Sequence, residues 1–278
     1  MNLFPFMAKP QFMAKHHFMI IAMLCISVSM SFATVSQEIT PLRIAVAANF
    51  SPVLKKLLPE FTAQTNIETQ LISAASGTLF QQIRHGAPFD VFLSADAQRP
   101  QLLNEQRLIV EHSQQTYAYG QIAFWSAIDR LPELTPLLSK IPPLPRFAIA
   151  NPDTAPYGKA AKQALMSLGL WQSLQNKLIQ GININQTFQQ VHSQAVKVGI
   201  VAYSQLKLNN LKGLVIAQQY YQPIEQQMVI LKRSKQIKNA QQLSQYLLSD
   251  VIQKKLAEYG YTSIKHLNEN DVTYVKSH

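Results

Sequence analysis

The sequence predicts an α/β protein of two doubly wound lobes joined by crossing strands, with a ligand cleft between them. Three observations predict it. Between Leu42 and Asp96, short apolar runs alternate with small-residue turns and helical periodicity, the β-α-β-α-β order of a doubly wound lobe. The same order returns after Arg146. Two extended stretches, residues 117–125 and 225–231, are placed to carry the chain across and back.

Leu42-Arg-Ile-Ala-Val-Ala47 is an apolar run of the kind that forms a buried parallel strand. Ser51 is placed to cap the following helix and Pro52 stands at its first position, so Ala48-Asn-Phe50 must be a tight turn. Such a turn presents unpaired N–H groups and the positive end of a helix dipole, which suits an anion. Val53, Leu54, Leu57, Leu58 and Phe61 form the buried stripe of that helix, and Pro59 predicts a kink or an early end. Residues 67–72 alternate as a second strand and run into Ser73-Ala-Ala-Ser-Gly-Thr78, a second strand-to-helix turn in which Ser76 adds a hydroxyl. Phe89-Asp-Val-Phe-Leu-Ser94 is a third strand, with Asp96 as a helix cap after it.

The crossing into the second lobe falls near Gly120, followed by a proline-rich passage through Pro132, Pro136, Pro142, Pro143 and Pro145. Arg146-Phe-Ala-Ile-Ala150 is a strand, Asn151-Pro-Asp-Thr-Ala-Pro-Tyr-Gly158 its turn, and residues 159–168 a helix with its alanines inward. Residues 178–184 lead into a fourth turn and a short helix, 187–191. Val198-Gly-Ile-Val-Ala202 and residues 213–217 are strands, and 225–231 is the return strand. Residues 240–259 read as one helix packed back on the first lobe, through Leu243, Leu247, Ile252 and Leu256.

Lys9 and Lys15 precede an uncharged apolar run from Phe18 to about Met30, and Ser31-Phe-Ala33 offers small residues for cleavage. Residues 1–33 are therefore expected to be a signal peptide. The one cysteine, Cys25, lies inside it, so the mature chain has no disulfide or thiol chemistry and suits a periplasm. Cleavage lowers the formal charge of +10 by two, and the scattered Lys and Arg suggest mild steering of anions, not a nucleic-acid groove. The expected domains are 34–120 with 224–278 as the first lobe and 121–223 as the second.

Val46-Ala-Ala-Asn-Phe50, Ser73-Ala-Ala-Ser-Gly-Thr-Leu79, Gly86-Ala-Pro-Phe-Asp-Val-Phe-Leu-Ser-Ala-Asp96, Ala150-Asn-Pro-Asp-Thr-Ala-Pro-Tyr-Gly158 and Val198-Gly-Ile-Val201 occur in this order. With the leader and the closing Tyr259-Gly-Tyr261, they resemble the periplasmic molybdate-binding proteins of ABC transporters over nearly the whole mature chain. The resemblance implies a type II periplasmic-binding-protein fold. It also implies a monomer that clamps molybdate or tungstate, uses no cofactor and delivers its cargo to a membrane permease. Carried over by motif, the donors are Asn49, Ser76, Tyr157 through its N–H and its hydroxyl, and Ile184 through its N–H, with the N–H groups of Ala48 and Gly77 beside them. The only metal is the molybdate itself, bound through the same residues. Many members have Ser where this chain has Asn49, whose amide donor fills the same role. Some have a tyrosine where this chain has Ala202, with Tyr203 one place later.

Each residue has a plainer reading. Ser76 is by default a helix cap, Asn49 tolerates a left-handed turn, Tyr157 suits a loop, and Ile184 suits a core. An enzyme is the main rival. Ser76, His85 and Asp90 invite a triad, but there is no Gly-x-Ser-x-Gly elbow, the histidines lack metal spacing, and no phosphate-binding Gly-Lys-Ser/Thr motif occurs. A transcription-regulator effector domain would need a DNA-binding helix pair where the leader stands. Among binding proteins, the alternatives are receptors for sulfate, phosphate or a small organic acid, the last of which would call for an arginine fork.

Overall fold

The computed structural model describes Met1, residues 40–127 and residues 146–264. The expected leader with Cys25, the proline-rich passage and the stretch after 264 lie outside the described residues.

β1 (Leu42–Ala47) feeds α1 (Ser51–Thr65), and β2 (Thr69–Ala74) feeds α2 (Ser76–Arg84). β3 (Val91–Leu93), α3 (Gln98–Glu105) and β4 (Gln115–Gly120) follow. Gln121 alone separates β4 from β5 (Ile122–Ser126). Then come β6 (Phe147–Ala150), α4 (Pro156–Ser167), the short α5 (Trp171–Leu174) and β7 (Leu178–Gly181). α6 (Ile184–His192), β8 (Val198–Ala202), α7 (Tyr203–Leu208) and β9 (Leu214–Val215) complete that region. β10 (Ile224–Ile230), α8 (Ile237–Leu248) and α9 (Asp250–Glu258) end the described chain.

The strands form two five-stranded mixed sheets, ordered β2-β1-β3-β10-β4 and β7-β6-β8-β5-β9. β1 is parallel to β2 and β3, and β10 runs antiparallel between β3 and β4. In the second sheet β6 is parallel to β7 and β8, and β5 is antiparallel to β8 and β9. The chain passes between sheets at Gln121 and again after β9. The central strands β1, β3, β6 and β8 are covered on both faces, which is why they are apolar runs and not alternating ones. In β1, Ile44 and Val46 pack with Leu54, Phe61 and Leu243, while Ala45 faces Leu79 and Phe92.

Several expectations are corrected. α1 does not end early at Pro59 but continues to Thr65. An interior proline costs about 3 kcal/mol, whereas burying Leu57, Leu58 and Phe61 contributes about 1.5–3 kcal/mol each. Ser51 makes no capping bond, since α1 begins after Phe50 without a side-chain cap. The single helix expected over 240–259 is two. Ser249 is extended (ψ 148°) and turns its hydroxyl back to the Tyr246 carbonyl at 2.8 Å, and Asp250 opens α9 with an acid in its first turn. The strand expected over 213–217 shortens to Leu214–Val215. α8 and α9 do pack on the first sheet, through Leu243, Leu247, Ile252 and Leu256.

Candidate functional site

Four strand-to-helix turns, two from each sheet, meet around a small cavity. The first lobe contributes Ala48, Asn49, Ala75, Ser76 and Ala95, and the second contributes Ala155, Tyr157, Asn183 and Ile184. No charged side chain lines it. The local reason is the same at each turn. A parallel strand ends, a helix begins, and the first N–H groups of that helix have no carbonyl one turn back.

The backbone N–H groups of Asn49, Ser76, Tyr157 and Ile184 find no acceptor among the described residues. In α6 the cap makes this selective. The Asn183 Oδ1 accepts from Asn185 and Gln186, both at 3.0 Å, and leaves the Ile184 N–H over. Gln205 braces the turn by donating to the Ile184 carbonyl at 3.2 Å and to the Asn185 Oδ1 at 2.8 Å. The fully buried Ser76 Oγ accepts the Ala95 N–H at 2.9 Å, so its own proton is left to be donated.

Two expected backbone donors are corrected. The Ala48 N–H donates to the Ala74 carbonyl at 2.9 Å, prolonging the β1–β2 ladder by one bond. The Gly77 N–H donates across the cleft to the Thr154 carbonyl at 2.9 Å. The Asn49 and Tyr157 side chains are also engaged elsewhere. The Asn49 Nδ2 donates to the Gln226 Oε1 at 2.7 Å and lies 3.3 Å from the Tyr157 hydroxyl and 3.4 Å from the Tyr261 hydroxyl. The Tyr157 hydroxyl also accepts from the Gln226 Nε2 at 3.4 Å. The Asn49 amide is thus turned to Gln226, while the Tyr157 hydroxyl accepts from both and keeps its own proton. Tyr203 is not among the lining residues; its ring sits beside Gly260.

Gln226, Tyr117 and Tyr261 complete this buried polar knot and escaped the sequence reading. Tyr117 donates from its hydroxyl to the Ser94 carbonyl or the Gln226 Oε1, both at 3.2 Å, and Tyr261 donates to the Asn49 carbonyl at 3.1 Å. The signal for Gln226 was available. It shares the buried face of β10 with Ile224 and Met228, and an amide on an apolar face needs partners. Gly120 makes room for the knot, since a Cβ there would lie 2.2 Å from the Tyr157 hydroxyl.

Burial pushes the Tyr117 and Tyr157 hydroxyls well above their ordinary value of 10.0, and neighbouring tyrosines push further. Burial takes Tyr261 up to about 12, against smaller lowering by the neighbouring Ser204 and Asn49. The folded state thus holds these protons more tightly than the unfolded chain does. Their stabilisation is complete below about pH 10 and is lost as pH rises towards about 12. Thermal unfolding followed between these values should show a steep fall in stability, shallower in Tyr261→Phe.

A bacterial extracellular solute-binding protein family model matches residues 42–262. The molybdate-binding protein ModA of Azotobacter vinelandii is 36% identical over 223 residues, covering 79% of this chain and 88% of the relative. ModA of Rhodobacter capsulatus is 35% identical, covering 79% and 87%. The solved periplasmic molybdate-binding protein of Azotobacter vinelandii superposes with a TM-score of 0.75 at 32% identity, over 80% of this chain and 98% of that one.

Proposed function

Since the chain belongs to the bacterial extracellular solute-binding protein family, and within it to the molybdate-binding group, we propose that it captures molybdate in the cavity between its lobes. Tungstate, of nearly the same size and charge, is bound with it, and the cargo is handed to the membrane permease of an ABC importer. The observation that carries this reading is the ring of four unpaired N–H groups and one free hydroxyl proton around a cavity without charged side chains. A tetrahedral dianion needs several donors and brings no proton at neutral pH, so neutral donors suffice. Hydrogen bonds to a charged group contribute roughly 1.5–3 kcal/mol each, and each helix start adds about 0.3–1 kcal/mol through its dipole. Donors fixed on two lobes set a cavity size, and size is the basis for discrimination against sulfate.

In this reading the protein is a carrier, not a catalyst, and works as a monomer in the periplasm after loss of residues 1–33. The lobes are 34–120 with 224–278, and 121–223, closing by a hinge at the two crossings.

Calorimetric titration of the mature protein with molybdate tests the reading, with tungstate, sulfate and phosphate as competitors. One-to-one binding that excess sulfate does not displace is expected. Ser76→Ala removes a donor and leaves the Ala95 N–H without its acceptor. It should weaken binding by roughly 10- to 100-fold. Heat from sulfate or an organic acid alone, with none from molybdate or tungstate, would overturn the ligand assignment.

A further inference from the structure

Two hydrogen bonds cross the cleft without entering the cavity. Gly77 donates to the Thr154 carbonyl at 2.9 Å, and the Arg99 Nη2 donates to the adjacent Asp153 carbonyl at 3.2 Å. Both acceptors belong to the turn between β6 and α4, which also presents the Tyr157 N–H. Arg99 is held at both ends by one carboxylate. The Asp96 Oδ1 accepts the Arg99 N–H at 3.0 Å, and its Oδ2 pairs with the Arg99 Nη1. Asp96 in turn follows Ala95, whose N–H is held by the cavity residue Ser76. The ion pair is sheltered, with side chains 17% and 20% exposed. The seam is tight, since a Cβ on Gly77 would lie 2.9 Å from both the Arg99 Nη2 and the Thr154 oxygen.

We propose that Arg99, aimed by Asp96, is a positioning residue that latches the closed lobes. It is not among the residues that line the cavity, so it sets how long the anion is retained and not which anion is chosen. This rests on reading the cavity as the oxyanion site. A planar fork suits the task because one guanidinium meets the Asp96 carboxylate and the Asp153 carbonyl together, which a lysine ammonium cannot do with the same geometry.

The test compares the parent protein with Arg99→Met and Arg99→Lys. Stopped-flow release of molybdate should be about 5- to 30-fold faster in Arg99→Met, with association within about twofold and the preference for molybdate over sulfate unchanged. Arg99→Lys should fall between. Amide hydrogen exchange at Gly77, read with and without molybdate, gives an arm independent of the ligand's identity. Its protection should fall about tenfold in Arg99→Met, while the melting temperature without molybdate stays near the parent's. Release within twofold of the parent together with unchanged Gly77 exchange would overturn the latch, as would a change in anion preference. A parent that binds no molybdate would sink the ligand reading instead, and the Gly77 exchange would still decide the latch.

Discussion

Asn49→Asp is expected to lower molybdate affinity by roughly 100- to 1,000-fold. The substitution keeps the shape of the side chain and changes its chemistry twice. The Nδ2 donor that holds the Gln226 Oε1 at 2.7 Å becomes an acceptor facing an acceptor. A carboxylate would also bring a negative charge close to the proposed anion site, at a residue only 1% exposed. Like charges at close range repel by roughly several kcal/mol in surroundings of intermediate dielectric, and burial limits screening by salt. Asn49→Ala separates the two effects, because it loses the bond without adding charge. It should weaken binding by only about tenfold. Calorimetry on both variants at two ionic strengths checks this, and equal losses in the two would refute the electrostatic part.

Gly120→Ala should weaken molybdate binding by about 10- to 100-fold through closure and not through contact. The added Cβ would sit 2.2 Å from the Tyr157 hydroxyl, 2.8 Å from its ring carbon and 3.2 Å from the Gln226 Nε2. Gly120 lies at the crossing from the first sheet and Tyr157 on the first turn of α4 in the second lobe, so relief means moving the lobes apart or turning a buried ring. Overpacking of this kind costs typically 1–3 kcal/mol. Tyr157→Phe removes the atom with the worst clash, so a double-mutant cycle should show Phe at 157 recovering part of the loss in the Gly120→Ala background. Additive losses would mean that the hydroxyl is not what Gly120 accommodates.

The parts of the fold that were legible are those where local and global signals agree. Residues 42–47 read as a strand and are one, because an apolar run bounded by a turn and a Ser-Pro helix start has few other uses. The four turns were legible for the same reason, and the structure brings Asn49, Ser76, Tyr157 and Ile184 around one cavity. What was not legible depends on distant partners. Whether Asn49 offers its side chain or its backbone is decided by Gln226, 177 positions away in the chain. The fate of the Gly77 N–H is decided by Thr154, and that of Arg99 by Asp153, neither of which has a local signature. Pro59 and Ser249 show the two ways propensity yields. At Pro59 core burial overrides a breaker, and at Ser249 a two-residue Ser-Asp start interrupts an unbroken apolar stripe.

A cavity that holds its guest with neutral N–H groups stores no counter-charge. A bound dianion would lower the formal charge of the whole molecule by its full charge, since no charged side chain at the wall is there to take up a proton in exchange. Loaded and empty forms would then differ in the long-range field they present. In the proposed role, a basic protein would become less basic when full, which would offer a membrane permease an electrostatic cue for loading.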